Sequence, residues 1–360
     1  MERLIDMGLP AVGVGAAAAL AFRRWYRSFE WQTAHDEVHQ ARTGDGWNIG
    51  LYRYRPTGEK RHPYPLVCAH GMAGTRLIYD LHEHYSIARY LAAEGFDVWT
   101  IDWRGRMDSW PDGGPDRTSQ WDFDDLVQQD FPAVVNRVLD VSGAPEAFWL
   151  GMEMSGQVLY AASIDRLADK IRGAVTMGSP VLTPKTALVP GVTSAPKGRS
   201  GGRVPFRGGA AFAGPVLAYT KSRVLESSFR GCNVDPVVVS RYFRNGIPDE
   251  ATDLVDQFAV WIREGVMRSR DGRRVYSCHL DEVKVPLLML AAELDLQRPA
   301  EAVEAAFESM GSTDKTLIRC GRAQGFAVDY GHDDLLTGLA SPSEVFPRIR
   351  DWLEERSESP

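Results

Sequence analysis

Residues 147–158 read AFWLGMEMSGQV. A short apolar run, Ala147 to Leu150, closes on Gly151, and the small-residue-rich segment SGQVLYAASIDRLA follows at once. The run predicts a buried strand and the segment behind it a helix. A strand that passes so abruptly into a helix puts the residue at the bend on a tight turn, with small residues on either side because the helix crosses close to the strand. Gly151 and Ser155 fill those flanking positions, and Gly156 follows. The residue at the bend is Glu153, where such turns most often carry a serine nucleophile. Moving the bend to Ser155 would put Glu153 and Gln157 where small residues belong, so the bend is assigned to Glu153.

Outward from this turn the chain alternates strands and helices. HDEVHQARTGDGWNIGLYRY (35–54) reads as a hairpin around a TGDG turn. YPLVCAH (64–70) and FDVWTID (96–102) read as strands on either side of the helix HYSIARYLAAEG (84–95). In 121–143, Trp121, Phe123, Leu126, Val127, Phe131, Val134, Val135 and Val138 recur at helical spacing and are assigned to the core. GAVTMGS (173–179), VPLLMLAAELD (285–295) and KTLIRC (315–320) read as further strands, and VFPRIRDWLEE (345–355) as a closing helix. The alternation predicts an α/β fold with a mainly parallel central sheet and helices on both faces. Residues 181–283 break the rhythm: a Pro/Gly/Ser-rich stretch leads into amphipathic helical patterns, which predicts an inserted, mostly helical cap. The expected division is an apolar N-terminal helix over 1–27, a core over 28–180, the cap over 181–283 and the rest of the core over 284–360.

Composition narrows the function. The chain has 360 residues, 44% of them hydrophobic, enough for a large core. A net charge of −7 argues against a nucleic-acid partner. Lys197, Arg199, Arg203 and Arg207 cluster among glycines and read as a solvated loop. Four cysteines without a CxxC pair are expected to be free, buried thiols in a reducing cytoplasm. Residues 7–22 carry no polar or charged side chain and are followed by Arg23, Arg24 and Arg27. That run falls slightly short of the roughly 20 residues that cross a bilayer. It is read either as a membrane-associated helix or as a helix packed on the domain, with the main domain cytoplasmic.

Three further stretches bear on chemistry. In PLVCAHGMAGT, the strand delivers His70 and Gly71 into a turn whose exposed amides could stabilise a negative oxygen. Asp295 lies just past a strand end, placed to orient a histidine, with Glu293 as the nearby alternative. His332, in VDYGHDDLLTG, follows the last strand. Bend residue, acid and histidine thus occur in the order found in α/β-hydrolases.

With these residues in place the chain resembles the α/β-hydrolase superfamily, in its acid-lipase-like and polyhydroxyalkanoate-synthase-like branch. VCAHGMAGT, SIARYLAAEGFDVWTIDWRGRMDS, WLGMEMSGQVLYA, VPLLMLAAELD and DYGHDDLLTG carry the resemblance, which covers roughly residues 38–355. It implies that His332 is a base oriented by Asp295, that the amides of Met72 and Met154 form an oxyanion hole, and that His70 and Gly71 border the substrate pocket. The family's usual GHSMGG box is GMEMSG here, so the serine-esterase role does not carry over.

A carboxylate attacks esters poorly, since the product would be an anhydride, but it can displace a group from saturated carbon or open an epoxide to give an alkyl ester. It can also act as a general base. An ionised Glu153 beside His332 is expected to form a carboxylate–imidazolium pair. The reading is a hydrolase acting on a lipophilic small molecule by ester- or epoxide-type hydrolysis through Glu153, His332 and Asp295. The alternatives are a catalytically silent homologue that binds a lipid or a partner, and an acyltransferase or cyclase. AAFAGPVLAYT (210–220) is read as ordinary cap core or as the lining of the substrate entrance. No dinucleotide fingerprint or P-loop occurs, so no cofactor is expected. His35 and His39 lack a third ligand, so no metal is expected either.

Overall fold

The computed structural model describes residues 19–58, 61–115, 120–187, 201–220 and 223–357. A helix, α1, runs over 19–27. The hairpin follows as β1 (Glu37–Arg42) and β2 (Trp47–Tyr54), paired antiparallel with Ala41 opposite Ile49. Then come β3 (Leu66–Ala69), α2 (Ile87–Ala93), β4 (Val98–Asp102), α3 (Phe131–Ser142), β5 (Ala147–Met152), α4 (Met154–Ile164) and β6 (Ile171–Met177). Between β6 and β7 the described residues form α5 (Phe206–Leu217), α6 (Pro236–Arg241), α7 (Thr252–Glu264) and shorter turns. The core resumes with β7 (Leu287–Ala292), α8 (Ala300–Ser309), β8 (Lys315–Cys320) and α9 (Ser341–Ser357).

The strands line up in the order β1-β2-β4-β3-β5-β6-β7-β8. All pairings from β4 to β8 are parallel, and the hairpin supplies the antiparallel edge. This is the mainly parallel α/β sheet expected from the sequence. Its inner strands, β3 to β7, are buried on both faces, which is why they read as continuous apolar runs. Alternate residues still go to opposite cores. Val67, Trp99 and Trp149 join Phe131, Val134 and Val138 of α3 on one face. Leu66, Val98 and Phe148 join Leu91 of α2 and Phe346, Ile349 and Leu353 of α9 on the other. Each of the eight core residues expected in 121–143 is buried.

Local signals set several boundaries. The Ser86 side chain caps α2 by accepting from the Arg89 amide at 3.1 Å. Gly143, at φ 73°, ends α3. Two expectations need correction. Arg203 is not in a solvated loop: it lies in a two-residue strand that pairs with Glu250–Ala251, its guanidinium 4.7 Å from the Trp110 ring and 5.2 Å from the Trp121 ring. Its planar charge finds two aromatic faces, a partnership no local pattern reveals. Lys197 and Arg199 lie outside the described residues. All four cysteines are free, but only Cys68 and Cys320 are buried, while Cys232 and Cys278 are exposed.

Candidate active site

The strand-to-helix turn falls where the sequence placed it. Glu153 sits between β5 and α4 at φ 51° and ψ −111°, a conformation that side-chain-bearing residues rarely adopt. Such strain is held only where the surroundings over-determine it. Here the Glu153 amide donates to Met177 O at 2.8 Å, and its carbonyl accepts from the Gly156 amide at 3.1 Å. The helix crosses so close that a Cβ on Gly151 would come within 2.7 Å of the Gly156 nitrogen. Ser155 is fully buried behind the turn, where its hydroxyl accepts from Trp103 Nε1 at 2.8 Å and donates to the His70 carbonyl. It is committed to structure.

The Glu153 side chain is almost fully buried, and both its oxygens are engaged. Oε2 accepts from the Met72 amide at 2.7 Å, so the carboxylate occupies the place expected for a developing oxyanion. Oε1 pairs with the guanidinium of Arg298, itself 1% exposed. This corrects the expected carboxylate–imidazolium pair, because Arg298 takes the place assigned to His332. Burial pulls the Arg298 guanidinium down to about 9, which is still above neutral pH and leaves Arg298 a cation there. A second Arg298 nitrogen donates to Thr183 Oγ1 at 2.9 Å.

His332 and Asp295 come together as the sequence order implied. His332 Nδ1 lies 2.6 Å from Asp295 Oδ2. The other Asp295 oxygen accepts from the amides of Gln297 at 2.9 Å and Arg298 at 2.7 Å, which fixes the carboxylate. Burial alone would lower the His332 pKa, but the charge and hydrogen bond of Asp295 outweigh it, and the net shift is upward. Glu293, the alternative acid, instead pairs with Arg319. His70 is fully buried and uncharged: burial takes its pKa well below the ordinary value, Nδ1 meets Gly71 O at 2.8 Å, and Nε2 accepts from the Trp103 amide at 3.2 Å.

Glu153, His332, His70, Gly71 and Met72 border one cavity of about 220 Å³. Its walls are mainly apolar, with Ile78 and Met152 from the core and Phe206, Ala210 and Phe243 from the segment between β6 and β7. Met154, the first residue of α4, has its side chain in the core. Its amide belongs to the first turn of that helix, where backbone donors lack intrahelical partners.

Other groups at the site were not singled out from the sequence. Asp333 lines the cavity, and burial, reinforced by Asp295, pushes its carboxyl up to about 7 although His332 opposes this. The Tyr242 phenol lines it too, held well above its ordinary pKa by burial and by Asp333. Glu250, fully buried, pairs with Arg106 and accepts from the Ala73 amide at 3.1 Å. Arg106 also donates to Gly74 O at 3.2 Å. Ala73 stands at φ 51°, so this buried pair braces the strained turn that carries the Met72 amide. For Arg298 the one available signal was its place three residues past Asp295. Among the described residues no group of three or more His, Cys, Asp or Glu could hold a metal ion. His39 instead meets Glu37 at 2.7 Å.

Residues 64–201 match a family model described as alpha/beta hydrolase fold. The chain is similar to the poly(3-hydroxyalkanoate) polymerase subunit PhaC of Haloferax mediterranei, with 26% identity over 345 residues, 86% of this chain and 63% of that protein. It therefore spans less than two thirds of that relative. Lipase member K of Mus musculus is 31% identical over 169 residues, 43% of this chain and 41% of that one. Among solved structures, a soluble variant of monoglyceride lipase from Saccharomyces cerevisiae superposes with a TM-score of 0.58 at 15% identity, covering 91% of this chain and 98% of that one. At that identity the likeness concerns the fold.

Proposed function

This chain has the α/β-hydrolase fold, and from that premise we propose that it is a hydrolase for a lipophilic small molecule in which Glu153 takes the place of the usual serine. The described residues between β6 and β7 serve as the cap over the cavity. The observation that carries this reading is the carboxylate itself: strained into position at the turn, with Oε2 already on the Met72 amide and the His332–Asp295 pair on the same cavity. Glu153 Oε1 attacks a saturated carbon of an epoxide or activated alkyl compound, and the leaving group departs with the bonding electron pair. For an epoxide, the opened oxygen takes a proton from Asp333 or Tyr242. The product is a glutamyl ester whose carbonyl oxygen, Oε2, stays at the Met72 amide, with the Met154 amide as the second donor of the hole.

Water then adds to that carbonyl carbon as His332 takes its proton. The resulting oxyanion is held by the two amides and by Arg298, which has lost its counter-ion to esterification. Collapse expels the alcohol, protonated by His332, and leaves Glu153 as a carboxylic acid. Its proton returns to the group that protonated the epoxide oxygen, or passes to solvent where an anionic leaving group has departed, and the carboxylate is restored. The route accounts for Arg298: a buried cation stabilises the carboxylate form that attack requires.

A specific observation favours a second reading. The anion position is filled by the protein's own carboxylate, and Arg298 neutralises it, as expected of a silent homologue that binds a lipophilic ligand in the remaining cavity. Acyl transfer, the activity suggested by the polymerase relative, would pass through a glutamyl anhydride and is the least supported. Turnover of lipophilic epoxides and esters by wild type and Glu153→Gln separates the readings. Catalysis through Glu153 requires a substrate that wild type consumes and the variant does not.

A further inference from the structure

Helix α5 has two apolar faces. Phe206 and Ala210 border the cavity, whereas Phe212 and Val216, and Tyr219 just past the helix end, are exposed, Phe212 by 71%. The outward face is continued by α1. Tyr26 of α1 donates its hydroxyl to the Ala211 carbonyl, and the Trp25 ring lies 6.1 Å from that of Tyr219. Phe22, itself exposed, lies 5.6 Å from Trp25, so one chain of rings runs from α1 to the residue just past the end of α5. Leu20 adds a side chain 66% exposed. An exposed apolar surface of this kind on a folded domain marks a contact site.

The surrounding charge says what it contacts. Arg23, Arg24 and Arg27 of α1 and Arg207 of α5, the two helices that carry these apolar side chains, are all exposed, on a protein whose net charge is −7. Of the acidic groups beside them, Glu30 pairs with Arg244 at 3.2 Å and Asp249 accepts from the Arg207 amide at 2.9 Å. Apolar and aromatic side chains framed by arginine suit the headgroup boundary of an anionic bilayer. The sequence leading into α1, residues 7–18, is without polar side chains, although its structure lies outside the described residues. No described helix is long and apolar enough to cross a membrane.

We infer that α1 and the outer face of α5 form one docking surface for an anionic phospholipid bilayer, which holds the cavity wall formed by α5 against the source of a lipophilic substrate. The inference uses the proposed substrate class only for its purpose; binding is read without turnover, so either can fail alone. The experiment is co-sedimentation of the full chain with vesicles of phosphatidylcholine alone or with phosphatidylglycerol. Wild type is expected to bind the anionic vesicles, and less so at high salt. Phe212→Asp/Val216→Asp and Arg23→Glu/Arg24→Glu/Arg27→Glu are expected to weaken binding at least about tenfold, with unchanged circular dichroism because every altered side chain is exposed. Failure of wild type to bind would overturn the inference. So would undiminished binding by the variants, or a wild-type dimer that Phe212→Asp dissociates, since the surface would then belong to a second copy.

Discussion

Glu153 and Arg298 form a buried ion pair across the strand-to-helix turn, the carboxylate sharing its other oxygen with the Met72 amide. Neither charge reaches bulk water, so each depends on the other. Removing one partner leaves an uncompensated buried charge at a cost of about 3–5 kcal/mol. Glu153→Gln and Arg298→Met should each lower the free energy of urea unfolding by that order. Their combination should recover much of the loss, as a double-mutant cycle will register. Single substitutions within about 0.5 kcal/mol of wild type would mean that the pair does not form.

Converting this site to a serine esterase should take two changes. Arg298 already acts to lower the pKa of His332. In Glu153→Ser it would do so without its own counter-ion and weaken His332 as the base for the new serine. Glu153→Ser/Arg298→Val is expected to hydrolyse nitrophenyl esters on the order of tenfold or more faster than Glu153→Ser. Equal rates would show that Arg298 does not restrain the dyad.

Gly71 keeps the carboxylate on its amide. A Cβ there would stand 2.8 Å from Glu153 Oε2 and 3.1 Å from its Cβ. Gly71→Ala should push the carboxylate away from Met72 and lower kcat by on the order of 10–100-fold, with a small change in KM. A change confined to KM would place Gly71 in substrate binding alone.

The pH dependence follows from two raised groups. Between about pH 4 and 7 the folded protein binds a proton at Asp333 that the unfolded chain has released. Stability from this group is therefore present at low pH and lost as pH rises through about 7, with a slope of at most about 1.4 kcal/mol per unit. Asp333→Asn should flatten that fall in urea melts at pH 5 and 8. Activity should run the other way on its acid side. His332 must be neutral to accept a proton, and its pKa is raised, so the rate should climb with pH above the ordinary histidine range.

What could be read from sequence divides along a physical line. Strands buried on both faces and the small residues of a close helix crossing leave local patterns, so β5, α4 and the position of Glu153 were legible. Asp295 and His332 were legible because strand ends punctuate the chain. The partnerships of buried charges were not. Arg298 and Glu153 are 145 positions apart, and an arginine in LDLQRPAE looks the same whether it enters a site or solvent. Glu250 and Arg106, 144 positions apart, escaped for the same reason, as did Arg203 between its two tryptophans. The Glu250 and Arg203 partnerships are set by how the segment between β6 and β7 folds onto the core, and that of Arg298 by how the loop after β7 meets the turn after β5; neither periodicity nor composition carries that information.

The most direct test of the central claim is intact-mass analysis of His332→Gln after incubation with a panel of lipophilic epoxides and alkyl esters, read beside wild-type turnover. If Glu153 is the nucleophile, attack proceeds without His332 but release does not. The variant should then gain the mass of one alkylating substrate, mapped by peptide fragmentation to Glu153. A panel that wild type leaves untouched, or a substrate it consumes with no adduct on Glu153, would contradict the account.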